Sequence, residues 1–278
     1  FTSFYVAQAV CSASRAALMT GCYANRVGMQ GALNHTSKEG IHPEELLLPE
    51  MCKTVGYATG AFGKWGLGDI GPADSGLPRK HGFDYFFGYL NQNHAHNHFP
   101  DFLWRDEQRV MLPNVITPVG ATGAGYATEA KVFADDLFAD EALKFVSENQ
   151  KQPFFLYWSM VVPHANNERT KALGDGADVP GYGPYADKKW PDPDKGQAAM
   201  VTRMDSYIGR LMDELKRLKL TENTLVIFTS DNGGLSRVTN NAPLREGKGS
   251  PYEGGIRVPL LVRWPGKVKP DSECEVPV

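Results

Sequence analysis

The sequence contains no apolar run long enough to cross a membrane. A spanning helix needs about 18–20 consecutive apolar residues, and the longest apolar run here, 154–162, is much shorter. Positive charge is not in excess, because 29 lysines and arginines stand against 32 aspartates and glutamates, for a formal net charge of −3. These two absences argue against a membrane or a nucleic acid as a partner. Internal repeats and low-complexity tracts are also missing, which is typical of a globular protein.

Cysteine is scarce, and the four cysteines are Cys11, Cys22, Cys52 and Cys274. Their number and spacing do not match the dense pattern of a disulfide-stabilised scaffold, although one bridge is compatible with the sequence. No secretory leader opens the chain. Because the chain begins at Phe1 within a predicted strand or loop, this lack says little about where the protein works.

Composition and periodicity predict an α/β fold. Hydrophobic residues make up 42% and charged residues 22% of the 278 residues, which suits one large domain or two small ones. The order strand, helix, strand recurs along the chain, so we expect a mostly parallel central sheet sandwiched by helices. The predicted helices cover 15–20, 44–56, 126–149 and 197–219, and the predicted strands cover 57–62, 153–162, 224–229 and 258–264. In the second helix we expect Leu46, Leu47, Met51 and Val55 to face the core.

The most informative stretch runs from Cys11 to Gly21 and reads Cys-Ser-Ala-Ser-Arg-Ala-Ala-Leu-Met-Thr-Gly. Ser12 and Ser14 are good N-cap residues, so Cys11 is predicted at or just before a helix N-terminus. The local field there favours anions and a reactive thiolate, and Arg15 lies one turn further on. The alternative is a small buried cysteine before an ordinary helix.

Other polar side chains follow predicted strands. Lys64 lies between glycines, His164 follows Pro163, and Asp231-Asn232 offers two hard oxygens for calcium or magnesium. Each has a plainer alternative, namely a solvated lysine, a loop histidine and an ordinary Asp-Asn-Gly turn. Together with Lys248 they suit attack on a tetrahedral oxyanion ester, which needs cations for the nonbridging oxygens and an acid for the leaving oxygen.

A histidine-rich segment follows an aromatic one. If it is extended, His94, His96 and His98 lie on one face. A zinc site is one interpretation, but no cysteine or carboxylate is near in sequence, so a polar pocket wall is favoured. His96 is the residue we select for chemistry, and the excursion 165–195 is a predicted substrate-facing surface.

The Cys11 stretch resembles the signature of the type I, formylglycine-dependent sulfatases of the alkaline phosphatase superfamily, of the arylsulfatase and N-acetylgalactosamine-6-sulfatase kind. The resemblance continues through Gly63-Lys-Trp-Gly-Leu-Gly, Pro163-His164, Ser230-Asp-Asn-Gly-Gly and the segment 244–259. It implies an alkaline phosphatase-like fold. It also implies an enzyme that hydrolyses a sulfate ester, which we take to belong to a sulfated carbohydrate.

The resemblance also implies a role for each matching residue. Cys11 is converted to formylglycine by a formylglycine-generating enzyme, and its hydrate attacks sulfur. Calcium, or magnesium instead, is bound by Asp231, Asn232 and residue 11. Arg15 holds the hydrate in its reactive state, Lys64 and Lys248 grip sulfate oxygens, and His164 with Lys248 protonates the leaving alcohol. We add His94 as a substrate-binding residue. A periplasmic or secreted location is implied in the same way. Conversion of Cys11 would leave three cysteines, which cannot all pair with one another.

Two departures from the family pattern stand out. Gly66 occupies the place of the family's histidine in Gly-Lys-Trp-His-Leu-Gly, and we predict that His96 replaces that base. The family's Asp-Asp metal-ligand pair would precede Phe1, and its C-terminal subdomain would follow Val278. We therefore expect 1–278 to be one partial catalytic domain, or a chain that binds calcium poorly. The alternatives are a phosphodiesterase or phosphonate monoester hydrolase of the same superfamily, and a non-catalytic anion-binding fragment.

Overall fold

The computed structural model describes residues 1–120 and 123–278. Its strands are β1 (Phe4–Tyr5), β2 (Ala58–Lys64), β3 (Tyr85–Tyr89), β4 (Phe102–Arg105), β5 (Gln108–Met111), β6 (Val115–Pro118), β7 (Gly125–Glu129), β8 (Phe154–Ser159), β9 (Val226–Thr229), β10 (Arg257–Val258) and β11 (Leu260–Arg263). Its helices are α1 (Cys11–Thr20), α2 (Leu48–Thr54), α3 (Ala134–Glu148), α4 (Asn167–Leu173), α5 (Asp192–Arg217) and α6 (Glu253–Ile256). No helix in the described ranges is both long and apolar enough to span a bilayer.

The chain divides into two compact units. The first consists of Phe1–Ala32 and Met212–Val278, and the second of Leu33–Leu211. The prediction that 1–278 forms one partial catalytic domain stays a prediction.

A five-stranded mixed sheet organises the second unit. Its strand order is β5-β4-β3-β2-β8. β2 pairs in parallel with both β3 and β8, whereas β4 is antiparallel to β3 and to β5. The α/β class is therefore confirmed, and within the described ranges the parallel pairing joins the three strands β3, β2 and β8.

The core of the second unit lies between this sheet and α3. Phe62 and Phe87 of the sheet pack with Phe138 and Phe145, which lie on one face of α3. The predicted helix 126–149 begins too early, because Gly125–Glu129 pairs with β6 as a hairpin. The Asn114 side chain then accepts hydrogen bonds from the backbone N–H groups of Lys131 and Val132 and fixes the link into α3.

The predicted helix 44–56 is also shorter in the structure. It begins at Leu48, where Pro49 fits the first turn and the Leu47 backbone N–H donates to Glu50 Oε2 at 2.8 Å. Leu47 is buried as expected, but Leu46, Met51 and Val55 are exposed, so most of the predicted apolar face was wrong. Leu46 precedes the helix, so helical periodicity does not apply to it.

The first unit holds two small antiparallel pairings, β1 with β10 and β9 with β11. The predicted strands 224–229 and 258–264 thus pair antiparallel with each other and not in a parallel arrangement. Helix α1 ends as predicted at Gly21, which adopts a left-handed φ of 67°. Its N-cap is Val10, so Ser12 and Ser14 lie inside the helix and do not cap it.

Candidate active site

Cys11 lies at the centre of a polar cluster in the first unit. It is the first residue of α1 and is buried. Its Sγ lies 3.7 Å from Asn232 Oδ1 and 3.4 Å from Lys248 Nζ. The positive end of the helix dipole and the lysine both favour negative charge at this atom.

Arg15 and Asp231 form an ion pair in the same cluster. Arg15 Nε and Nη2 donate to Asp231 Oδ2 at 2.9 and 2.7 Å. The side chains are only 8% and 24% exposed, so water screens this pair weakly. The pair therefore keeps the guanidinium in a fixed direction one turn after Cys11.

Backbone hydrogen bonds hold the loops that carry these residues. Asp231 and Asn232 follow β9, and the Gly233 N–H donates to the Gly255 carbonyl at 2.9 Å. The Lys248 N–H donates to the Gly234 carbonyl, and the Gly249 N–H to the Ala9 carbonyl, both at 3.0 Å. A Cβ on Gly233 would overlap the Gly254 carbonyl, so this close approach requires glycine.

In the second unit, three parallel strands end at one edge of the sheet. Lys64, the last residue of β2, is opposite Tyr89 of β3, and Gly63 is opposite Ser159 of β8. Lys64 is buried at this edge. His96 comes after β3 and His164 after β8, so both histidines follow strand ends at the edge where Lys64 lies.

His96 and His164 are stacked. Their ring centroids lie 5.0 Å apart with an interplanar angle of 8°. His96 Nδ1 is 3.0 Å from Glu168 Oε2, and His164 Nδ1 is 2.7 Å from the Ala165 carbonyl oxygen. Burial raises the pKa of the Glu168 carboxyl, but the hydrogen bond and charge of His96 outweigh burial and hold this pKa below its ordinary value.

The three neighbouring histidines do not share one face. The prediction of an extended segment was wrong, because His94–His96 forms a 3₁₀ turn. His94 is fully buried, its Nε2 lies 3.0 Å from the Phe102 carbonyl oxygen, and burial lowers its pKa to about 3. This position does not fit the substrate-binding role predicted for His94.

His98 is buried as well, and its ring contacts a backbone carbonyl. Its Nε2 lies 2.7 Å from the His164 carbonyl oxygen, and its Nδ1 lies 3.7 Å from Asp135 Oδ2. Burial lowers the pKa of His98, but the nearby Asp135 carboxylate outweighs burial and raises it overall. His98 therefore anchors the segment that carries His164.

Comparison with known proteins decides the family. The Sulfatase family model matches residues 1–276. The chain belongs to the sulfatase family.

Individual relatives agree with this membership. Arylsulfatase A of Homo sapiens is 34% identical over 99% of this chain and 54% of its own length. N-acetylgalactosamine-6-sulfatase of Sus scrofa is 35% identical over 96% of this chain and 50% of its own length. The solved structure of Ps i-CgsB in complex with k-i-k-neocarrahexaose has a TM-score of 0.75 at 30% identity, covering 96% of this chain and 58% of that chain. The predicted sulfatase fold is thus confirmed, and the chain spans about half the length of the curated relatives it matches.

Sulfatases generally use a formylglycine and a divalent cation, and the first-unit cluster fits such a cation in part. Asp231 and Asn232 offer hard oxygens beside residue 11. Calcium takes about 6–8 oxygens, more than these residues supply. Within residues 1–120 and 123–278, no group of three or more His, Cys, Asp or Glu side chains is arranged to hold a metal ion.

The structure adds two residues near His96 that the sequence pattern did not indicate. Glu168 and Asn167 contact the two ring nitrogens of His96. They lie in the first turn of α4, where Asn and Glu are common for reasons of helix stability alone, so the sequence contained no separate signal for them.

Proposed function

We propose that this protein hydrolyses a sulfate ester, with residue 11 as the reacting residue. The observation that carries the proposal is the position of Cys11. It opens α1 within the sulfatase signature, with Lys248 Nζ and Asn232 Oδ1 beside its sulfur and the Arg15–Asp231 pair one turn away. This arrangement suits an anionic substrate group, because helix N–H groups and two cations neutralise developing negative charge.

Conversion of Cys11 to formylglycine is part of the proposal. The hydrated aldehyde would supply an oxygen nucleophile for sulfur and a route for sulfate release. Around it, Lys248 Nζ binds a nonbridging sulfate oxygen, and Arg15 maintains the positive field that favours ionised oxygen at residue 11. Lys64 is assigned to a second sulfate oxygen on the basis of its motif.

His164 is proposed as the acid for the leaving alcohol, together with Lys248. The Ala165 carbonyl can only accept, so His164 Nδ1 carries a proton and Nε2 is the atom that gains and loses one. The imidazolium gives the Nε2 proton to the alcohol oxygen as the sulfur–oxygen bond breaks. His96 is proposed as the base that the family places at the position of Gly66.

Asp231 and Asn232 are proposed to supply part of the shell of a divalent cation, calcium or alternatively magnesium. Such a cation would neutralise charge on a sulfate oxygen. If they do so, replacing Asn232 by Ala weakens Ca²⁺ binding measured by calorimetry, a readout that needs no turnover.

A sulfated carbohydrate is the proposed substrate class. One relative is named for N-acetylgalactosamine-6-sulfate chemistry, and one structural neighbour is solved with k-i-k-neocarrahexaose. In this chain, the excursion 165–195 presents the stacked pair Tyr185 and Trp190, and aromatic faces pack well on sugar rings. A formylglycine-generating enzyme as maturation partner and a secreted or periplasmic location remain predictions from the family resemblance.

The test uses the full chain produced with and without a formylglycine-generating enzyme. After co-production, the Cys11 peptide should be about 18 Da lighter by mass spectrometry, and p-nitrophenyl sulfate should be hydrolysed. Cys11→Ala should abolish hydrolysis, while Cys22→Ala, the matched control, should not.

Three results would count against the proposal. Full activity of Cys11→Ala overturns it. Faster turnover of a phosphodiester or phosphonate monoester than of the sulfate favours the other enzyme class. Saturable sulfate binding without turnover by the converted protein favours the non-catalytic alternative.

A further inference from the structure

Two neighbouring residues of α4 contact the two ring nitrogens of His96. Glu168 Oε2 and Oε1 lie 3.0 and 3.3 Å from Nδ1. Asn167 Nδ2 lies 3.3 Å from Nε2. The His96 and Glu168 side chains are only 12% and 8% exposed, so water competes weakly for these contacts.

The chemistry of these partners sets the tautomer of His96. An ionised carboxylate only accepts hydrogen bonds, so the proton of the neutral ring lies on Nδ1. Nε2 then holds the lone pair and accepts from the Asn167 amide. If Nε2 takes up a proton, the same amide can turn and present its oxygen, because the two ends of an amide have nearly the same shape. The Asn167 amide can therefore form a hydrogen bond with Nε2 whether or not Nε2 carries a proton.

We propose that Glu168 is the positioning residue for His96: it holds the ring with its proton on Nδ1 and so leaves Nε2 as the atom that accepts a proton. This inference rests on the proposed function, in which His96 serves as the base in place of the residue at Gly66. Nothing in the resemblance assigns a role to Glu168.

The stacking of His164 on His96 sets the order in which the two rings gain and lose protons. The two rings lie 5.0 Å apart, so a positive charge on one disfavours a positive charge on the other. While His164 holds the acid's proton, His96 stays neutral with Nε2 ready to accept. After His164 has released its proton to the alcohol, the Glu168 carboxylate stabilises the proton that arrives on His96. Of the contacts described above, those with Glu168 and His164 are the ones that set this order.

A double-mutant cycle on the full, converted chain tests the proposal with p-nitrophenyl sulfate. Glu168→Gln keeps the side-chain shape and removes the charge. We expect kcat to fall about 10–100-fold with KM changed less than about twofold, as for other residues that orient a functional histidine. In a His96→Ala background, Glu168→Gln should not lower kcat any further. Glu107→Gln, which makes the same charge change at an exposed position, is the control and should match wild type.

The outcomes separate this proposal from the proposed function. An equal loss from Glu168→Gln in both backgrounds overturns the positioning role, although Cys11-dependent hydrolysis still stands. Wild-type kcat in His96→Ala overturns the His96 assignment and this proposal together.

A readout without turnover decides the case if the chain proves inactive. Nitrogen NMR of the chain labelled at its seven histidines distinguishes the two ring tautomers directly. We expect the Nδ1–H tautomer for His96 in wild type and its loss in Glu168→Ala, while the Glu107→Ala spectrum is unchanged. A His96 tautomer that is the same in wild type and Glu168→Ala overturns the proposal.

Discussion

At the scale of the single residue, the Asp231 carboxylate combines one proposed role with one observed contact. It is the proposed cation ligand, and its Oδ2 also accepts both hydrogen bonds from Arg15. A carboxylate has about four lone-pair sites, so one oxygen can hold an arginine while the group also serves a metal. Arg15 and the cation would thereby be oriented through the same side chain.

His94 shows how burial alone can remove a residue from chemistry. Its ring is fully buried against Tyr89 and Phe102, and the Nε2 contact with the Phe102 carbonyl does not compensate for the loss of solvent. Its pKa of about 3, against an ordinary 6.5, keeps it neutral in the folded protein.

This depressed pKa predicts a loss of stability in acid. The unfolded chain binds a proton at His94 below about pH 6.5 and the folded chain does not, so the unfolding free energy falls by roughly 1.4 kcal/mol per pH unit. Between pH 7 and pH 5 this one residue should cost roughly 2 kcal/mol. Urea unfolding of wild type and His94→Leu at both pH values measures the difference.

The comparison uses the pH dependence and not the absolute stability, because His94→Leu also leaves the Phe102 carbonyl without its partner. Groups other than His94 contribute equally to both proteins. If the variant loses as much stability as wild type between pH 7 and pH 5, His94 is not the buried neutral residue described above.

At the scale of elements, the contact between β2 and β3 is unusually close. Gly88 of β3 faces the backbone of Gly63 of β2, and a Cβ on Gly88 would overlap the Gly63 carbonyl. This approach sets the position of the next residue, Lys64, at the end of β2. Gly63, which belongs to the motif around Lys64, thus takes part in the close packing of the two strands.

Gly88→Ala should therefore destabilise the second unit. Backbone cannot move aside as a flexible side chain does, so we expect a loss of about 1–3 kcal/mol in urea unfolding. We also expect a lower kcat/KM for p-nitrophenyl sulfate, because Lys64 shifts with the strand. Gly181→Ala is the control, since a Cβ there meets nothing within 4 Å. Equal stability of the two variants would show that the strands separate without cost.

At the scale of the whole molecule, the four cysteines, all within the described ranges 1–120 and 123–278, form no disulfide with one another. Cys11 is buried, and Cys22, Cys52 and Cys274 are half-buried free thiols. The bridge that the sequence left open is therefore absent. Folding rests on packing and hydrogen bonds, so a reductant should leave the unfolding midpoint unchanged.

A thiol count of the denatured chain tests conversion of Cys11 in the whole protein. Four thiols should react with a thiol reagent when the chain is made without a formylglycine-generating enzyme, and three after full conversion. Denaturation makes burial irrelevant, so only chemistry at the cysteines changes the count. Four reactive thiols after co-production would contradict the formylglycine assignment.

Local patterns were sufficient where neighbouring residues decide the structure. The end of α1 at Gly21 follows from capping, and the long helix α5, predicted over 197–219, follows from short-range periodicity. The family also followed from motifs, because modifying and catalytic chemistry requires fixed residue types at fixed spacing. The helix 126–149 failed because pairing of β7 with β6, a contact across the chain, outweighed helical periodicity.

The sequence by itself determined the sulfatase family and the α/β class, and its motif is the basis for proposing Cys11 as the reacting residue. Only the tertiary structure decided that Lys248 and Asn232 lie beside Cys11, that His94 is buried, and that Glu168 contacts His96. The physical reason is distance along the chain. Cys11 and Lys248 are 237 residues apart, and no local propensity reports a contact that long-range packing creates.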